Sequence, residues 1–149
     1  MTGDSIDPQV AAERLNERAK GTNIAARGTR FLAVSAERAV AELAFRPDLA
    51  QLTGVFHGGV ILSLADETAT ACSLATVMPD GNWDPDKFPL TIQLSANLMR
   101  NTNTGKLIAE AVPLHQGRTS MVMQTTVRDE QGRTMAVVTV TLLVLQRSS

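Results

Sequence analysis

The sequence predicts an α+β domain in which an antiparallel sheet curls around one central helix. Three observations predict it. The apolar run at residues 60–78 is too long for a strand and holds no Gly or Pro, so it forms a helix of about five turns. That run is apolar on most sides, which places it in a core rather than on a surface. Strand signals cluster on either side, two before and four after, without the strand–helix alternation of a parallel sheet.

The elements follow in order. Residues 1–8 are expected to fray. Pro8 opens a short helix over 9–20, with Val10, Leu15 and Ala19 on one side and Gly21 as its C-cap. Residues 30–35, with Phe31 and Val34, read as a strand. Residues 38–45 alternate, Ala39, Ala41, Leu43 and Phe45 against Arg38 and Glu42, until Pro47 ends the pattern. After the central helix, residues 78–89 form a loop with three prolines, Gly81, Trp83 and Phe88. Strands are expected over 90–99, 107–114, 119–128 and 133–146, with Gly105, Gly117 and Gly132 in the turns between them. In the first of these, Ile92, Leu94, Ala96 and Leu98 share one face and Thr91, Gln93, Ser95 and Asn97 the other. The chain divides into an N-terminal segment, 1–27, and a domain, 28–149.

Composition removes several function classes. A chain of 149 residues and 15.9 kDa, 44% hydrophobic and 19% charged, fits one globular domain. A net charge of −1 leaves no electrostatic footprint for nucleic acid, and 3% aromatic content with no Tyr argues against base stacking. One cysteine, Cys72, makes neither an intrachain disulfide nor a thiolate zinc site, and two histidines leave little room for another metal centre. No metal and no cofactor is expected. Residues 1–8 carry Asp4 and Asp7 and no secretory pattern. No stretch is expected to reach the roughly 20 apolar residues of a membrane span. The expected location is cytoplasmic, with no membrane partner.

Chemistry concentrates around the central helix. Ser63, Asp66, Thr70 and Ser73 recur at steps of 3, 4 and 3, a polar stripe with one carboxylate. Gly58-Gly59 opens the helix, where backbone N–H groups are free and the dipole is positive. An oxyanion site and a carboxylate are the two parts of an acyl-transfer centre. Gly58 and Asp66 stand about 12 Å apart along the helix, so one carbonyl cannot touch both within a chain. Either the two are unrelated, or a second subunit completes the site. Plainer readings stand beside these. The glycines can serve packing, the stripe can be hydrogen bonds satisfied within the core, His57 can be a cap, His115 structural, and Cys72 a small hydrophobe. Glu67, about 100° around the helix from Asp66, pairs elsewhere.

Thr53-Gly54-Val55-Phe56-His57-Gly58-Gly59, then six variable or small apolar residues and Asp66, resembles the signature of hotdog-fold acyl-CoA thioesterases of the phenylacetate-pathway and 4-hydroxybenzoyl-CoA (Arthrobacter-type) group. The resemblance covers residues 28–146 and implies the hotdog fold. It implies that Asp66 is the catalytic carboxylate, as base or nucleophile. It implies that the Gly58 N–H polarises the thioester carbonyl from the opposite subunit and that Thr91 positions the attacking water. His57 is a further catalytic candidate, as a base, and Gly59 a substrate contact. The family often has Asn six residues before the His as a further polar contact in the catalytic site; here Gln51 holds that position and keeps the amide on a longer stem. Coenzyme A contacts are implied at Arg100, Arg118 and Thr119. Trp83 and Phe88, in the loop after the central helix, pack either on the body of the protein or on the acyl end of the substrate as a wall or lid. The implied function is hydrolysis of an acyl- or aroyl-CoA by a homodimer or homotetramer with shared sites. A non-hydrolytic acyl-CoA-binding hotdog module and a scaffold with a vestigial site are the alternatives.

Overall fold

The computed structural model describes residues 4–145. Residues 1–3 of the expected fraying, and Gln146 of the last expected strand, lie outside it.

Helix α1 spans Pro8–Ala19. Asp7 caps it, accepting from the N–H groups of Gln9 and Val10, and Pro8 takes the position where a missing N–H costs nothing. Its C-cap is Lys20 rather than Gly21. The Asn16 amide donates to the Phe31 carbonyl and accepts from the Phe31 N–H, both at 2.8 Å, so it serves β1 as a strand neighbour would. A second helix, α2 (Asn23–Arg27), was not expected; five residues are too few to show a period. Gly28 ends it in the left-handed region at φ +93°.

Strands β1 (Arg30–Val34) and β2 (Ala39–Ala44) precede helix α3 (Gly58–Val77). Strands β3 (Leu90–Leu98), β4 (Lys106–Gln116), β5 (Ser120–Arg128) and β6 (Thr134–Leu143) follow it. All pair antiparallel in one sheet of order β1-β2-β4-β5-β6-β3. α3 carries the chain from β2 to the far edge, and it packs against all six strands. That is the sheet wrapped on one helix that the apolar run predicts. Ile61, Leu64, Ala65, Ala69 and Cys72 of α3 are fully buried with Leu43, Leu107, Met121, Met123 and Val140 of the sheet.

Two expectations need correction. α3 is, by length and composition, long and apolar enough to cross a membrane, with mean hydropathy 1.3. Its burial against the sheet is why it reads that way: a core helix passes the same test. The alternation expected in β3 also fails. Its register with β6 shifts between Thr91 and Gln93, so Ile92 is an extra residue. Thr91 opposes Leu142 and Leu94 opposes Val140, two steps apart on β6, which puts Thr91 on the face of Leu94 and not of Gln93. Ile92 is left 60% exposed.

Candidate active site

The entry to α3 is built from its flanks. Phe56, just before the cap, and Ile61, in the first turn, are both fully buried in one cluster, as in a hydrophobic staple. His57 caps the helix, and its Nδ1 accepts from the Gly59 N–H at 2.9 Å. The two glycines then separate in role. A Cβ on Gly59 would lie 2.9 Å from the His57 ring, so glycine there makes room for the cap. A Cβ on Gly58 would meet no atom within 4 Å. Among the described residues nothing demands glycine at 58, and its N–H has no acceptor. This is an open donor at the positive end of a helix.

Asp66 lies two turns on, half-buried. Its Oδ1 accepts from the Thr91 hydroxyl at 2.6 Å; Oδ2 has no partner among the described residues. The β3 bulge is what turns Thr91 toward α3. The two residues line a cleft of about 500 Å³, with Thr70, Phe31, Trp83 and Phe88 on its walls. Trp83 meets Phe88 edge-on with ring centres 6.0 Å apart, and the Arg18 guanidinium sits 4.1 Å over its face. Trp83 therefore packs on the body of the protein and faces the cleft at once.

The rest of the expected stripe divides. The hydroxyls of Ser63 and Ser73 return to the carbonyls of Gly59 and Ala69, four residues back, and Ser73 is fully buried. Thr70 alone joins Asp66 in the cleft. The Gln51 amide bonds Thr53 within its own loop and so does not meet Asp66. Arg100, after β3, and Arg118 and Thr119, in the β4–β5 turn, are exposed and do not line Asp66's cleft.

Three features escaped the sequence reading. The Thr125 hydroxyl on β5 donates to the Ala65 carbonyl at 3.1 Å, fixing α3 beside Asp66. Arg27 of α2 pairs with Glu67, whose side chain is nine-tenths buried, and burial pushes the Arg27 guanidinium below its usual range. α1 supplies Leu15 and Arg18 to the cleft wall. No period or spacing signals any of these. Cys72 is a buried thiol near the Ala36 carbonyl, pushed up to about 12 by burial and by the Glu37 charge. No cluster of three or more metal-ligating side chains occurs among the described residues.

The sequence profile of the Thioesterase superfamily matches residues 53–136. A provisionally assigned esterase of Deinococcus radiodurans is 30% identical over 139 residues, covering 90% of this chain and 83% of its own. The 1,4-dihydroxy-2-naphthoyl-CoA hydrolase of Listeria monocytogenes is 23% identical over 120 residues, 80% of this chain and 93% of its own. A solved thioesterase from Haemophilus influenzae superposes with a TM-score of 0.80 at 25% identity, covering 91% of this chain and 90% of that one.

Proposed function

The chain belongs to the Thioesterase superfamily, and on that premise we propose that it hydrolyses an acyl- or aroyl-CoA at the Asp66–Thr91 cleft, releasing the free acid and coenzyme A. Thioester hydrolysis itself follows from the family and from the thioesterase that shares the fold. The relatives are hydrolases by name, which favours turnover over non-hydrolytic binding. The CoA thioester is supported by the CoA hydrolase among them. The phenylacetate or 4-hydroxybenzoyl-CoA branch stays part of the proposal, carried by the motif ending in Asp66.

One observation carries the assignment of Asp66: a carboxylate held by a hydroxyl at 2.6 Å on the wall of an apolar cleft. Thr91 fixes one oxygen of the carboxylate. The other is left to take a proton from water or to attack the carbonyl itself. The developing oxyanion needs a donor, and Gly58 offers an open N–H too far along the same helix to serve the same carbonyl. A second copy of the chain supplies it. β3 is the free edge for that copy, with Leu90 45%, Ile92 60% and Leu98 46% exposed along it. In this reading His57 acts by holding the glycine turn. Gln51 reaches substrate only by releasing Thr53. Gly59 lies under the acyl carbonyl, and Arg100, Arg118 and Thr119 meet the nucleotide end of coenzyme A.

The test is thiol release from a panel of acyl-CoAs. Asp66→Asn keeps the shape of the side chain and loses its basicity, so kcat should fall by about 10²–10⁴ with the fold retained. Turnover near wild type overturns the assignment.

A further inference from the structure

A second cavity, of about 620 Å³, lies between α1, the C-terminal half of α3 and the loop that follows it. Ala11, Leu15, Val34, Leu74, Ala75 and Met78 supply its apolar wall. The hydrolysis described above makes no use of it. Leu15, Arg18, Leu74 and Trp83 line both this cavity and the cleft of Asp66, so they form the partition between the two. Leu74 is fixed in the core at 8% exposure. Trp83 is 38% exposed, and its ring contacts are the stack on Arg18 and the edge of Phe88. The start of the loop is anchored. The Ile6 N–H donates to the Pro79 carbonyl at 3.2 Å, and Gly81 sits so close to the N-terminal segment that a Cβ there would lie 2.6 Å from Ile6. Trp83 and Arg18 are the exposed members of the partition, and Leu15 and Leu74 the more buried ones.

We propose that this cavity is an acyl-tail subsite, entered from the catalytic cleft when Trp83 turns off Arg18, and that it accommodates alkyl chains too long for the cleft alone. The inference rests on the acyl-CoA reading of the Asp66 cleft. The larger part of the wall is apolar, supplied by the aliphatic side chains named above, which favours an alkyl tail. Arg14 and Glu37 both line the cavity, so charges of opposite sign face it and no single sign favours an ionised tail. An aromatic or short acyl group ends in the first cleft, against Trp83 and Phe88.

Trp83 is the single tryptophan of the chain, so its emission reads the partition directly. The wild-type protein is titrated with non-hydrolysable thioether analogues of butyryl-, octanoyl- and palmitoyl-CoA, and kcat/KM is measured for the three thioesters. The expected result is binding of all three, with a change in Trp83 emission that is large for the palmitoyl analogue and small for the butyryl one. Ala75→Phe fills the second cavity from α3, and Ala11→Leu fills it from α1 should the first variant fail to fold. Either should lower kcat/KM for palmitoyl-CoA by about tenfold or more relative to butyryl-CoA and suppress the emission change. Equal emission changes for all three chains, or equal losses of kcat/KM, overturn the subsite while leaving the acyl-CoA reading intact. Neither binding nor turnover of any of the three overturns that reading, and the subsite with it.

Discussion

Thr91 reaches Asp66 because β3 carries one residue too many. Strict alternation places Thr91 with Gln93; the bulge at Ile92 reverses its face and brings its hydroxyl to the carboxylate. Thr91→Ala should therefore lower kcat by roughly tenfold or more, the loss of a hydrogen bond to a charged group, and Thr91→Ser should recover most of it. Steady-state kinetics on the two variants checks this; a silent Thr91→Ala removes Thr91 from the reaction. Cys72 supplies a second prediction at this scale. Its thiol, pushed up to about 12 by burial, should resist alkylation at pH 8 in the native protein and react readily in urea, as mass spectrometry will show. The sign of the pH effect follows from the same shift. The unfolded thiol ionises near its ordinary 9.0 and the folded one does not, so Cys72 weakens the fold as pH rises from there toward about 12.

The start of α3 shows two adjacent glycines with different duties. Gly59 makes room for the imidazole that caps the helix, whereas Gly58 leaves empty space beside an open N–H. Gly59→Ala should displace the His57 ring and cost the cap, about 1 kcal/mol, seen as a lowered Tm. Gly58→Ala should leave Tm near wild type and lower kcat, because its methyl occupies the approach to the proposed oxyanion donor. Equal effects of the two substitutions on Tm would mean that Gly58 is a packing residue after all. α1 matters at this scale as well. Through Asn16 it is tied to β1, and through Leu15 and Arg18 it walls the cleft, so the segment before residue 28 helps to form the site.

For the molecule as a whole, the sheet ends at β3, whose outer edge has no strand partner among the described residues and exposes Leu90, Ile92 and Leu98 on the side of Asp66. If two copies pair through β3 to share their sites, Ile92→Lys should yield monomers by light scattering, with the circular dichroism of the native fold and little turnover. A fully active monomer refutes the shared site. Subunit mixing asks the same question from the other direction: Asp66→Ala chains exchanged with Gly58→Ala chains should regain activity, since each heterodimer then holds one intact pair of groups.

The sequence alone determined helix α1, the six strands, the long core helix and the spacing of Gly58 to Asp66. Each of these depends on neighbours along the chain, through a period of 2 or 3.6 or a local cap. It also contained the motif that marks the family, because that motif is one continuous stretch across a helix start. Tertiary structure decided what Asp66 touches. Thr91 is 25 residues away and is aimed by a bulge that no composition announces. Arg27, on a helix too short to show a period, meets Glu67 across 40 residues. The walls of both cavities come from α1, α3, β1 and the loop after α3 together. A cavity is the space that several elements fail to fill, so its shape depends on how they pack against one another and not on any one stretch of chain.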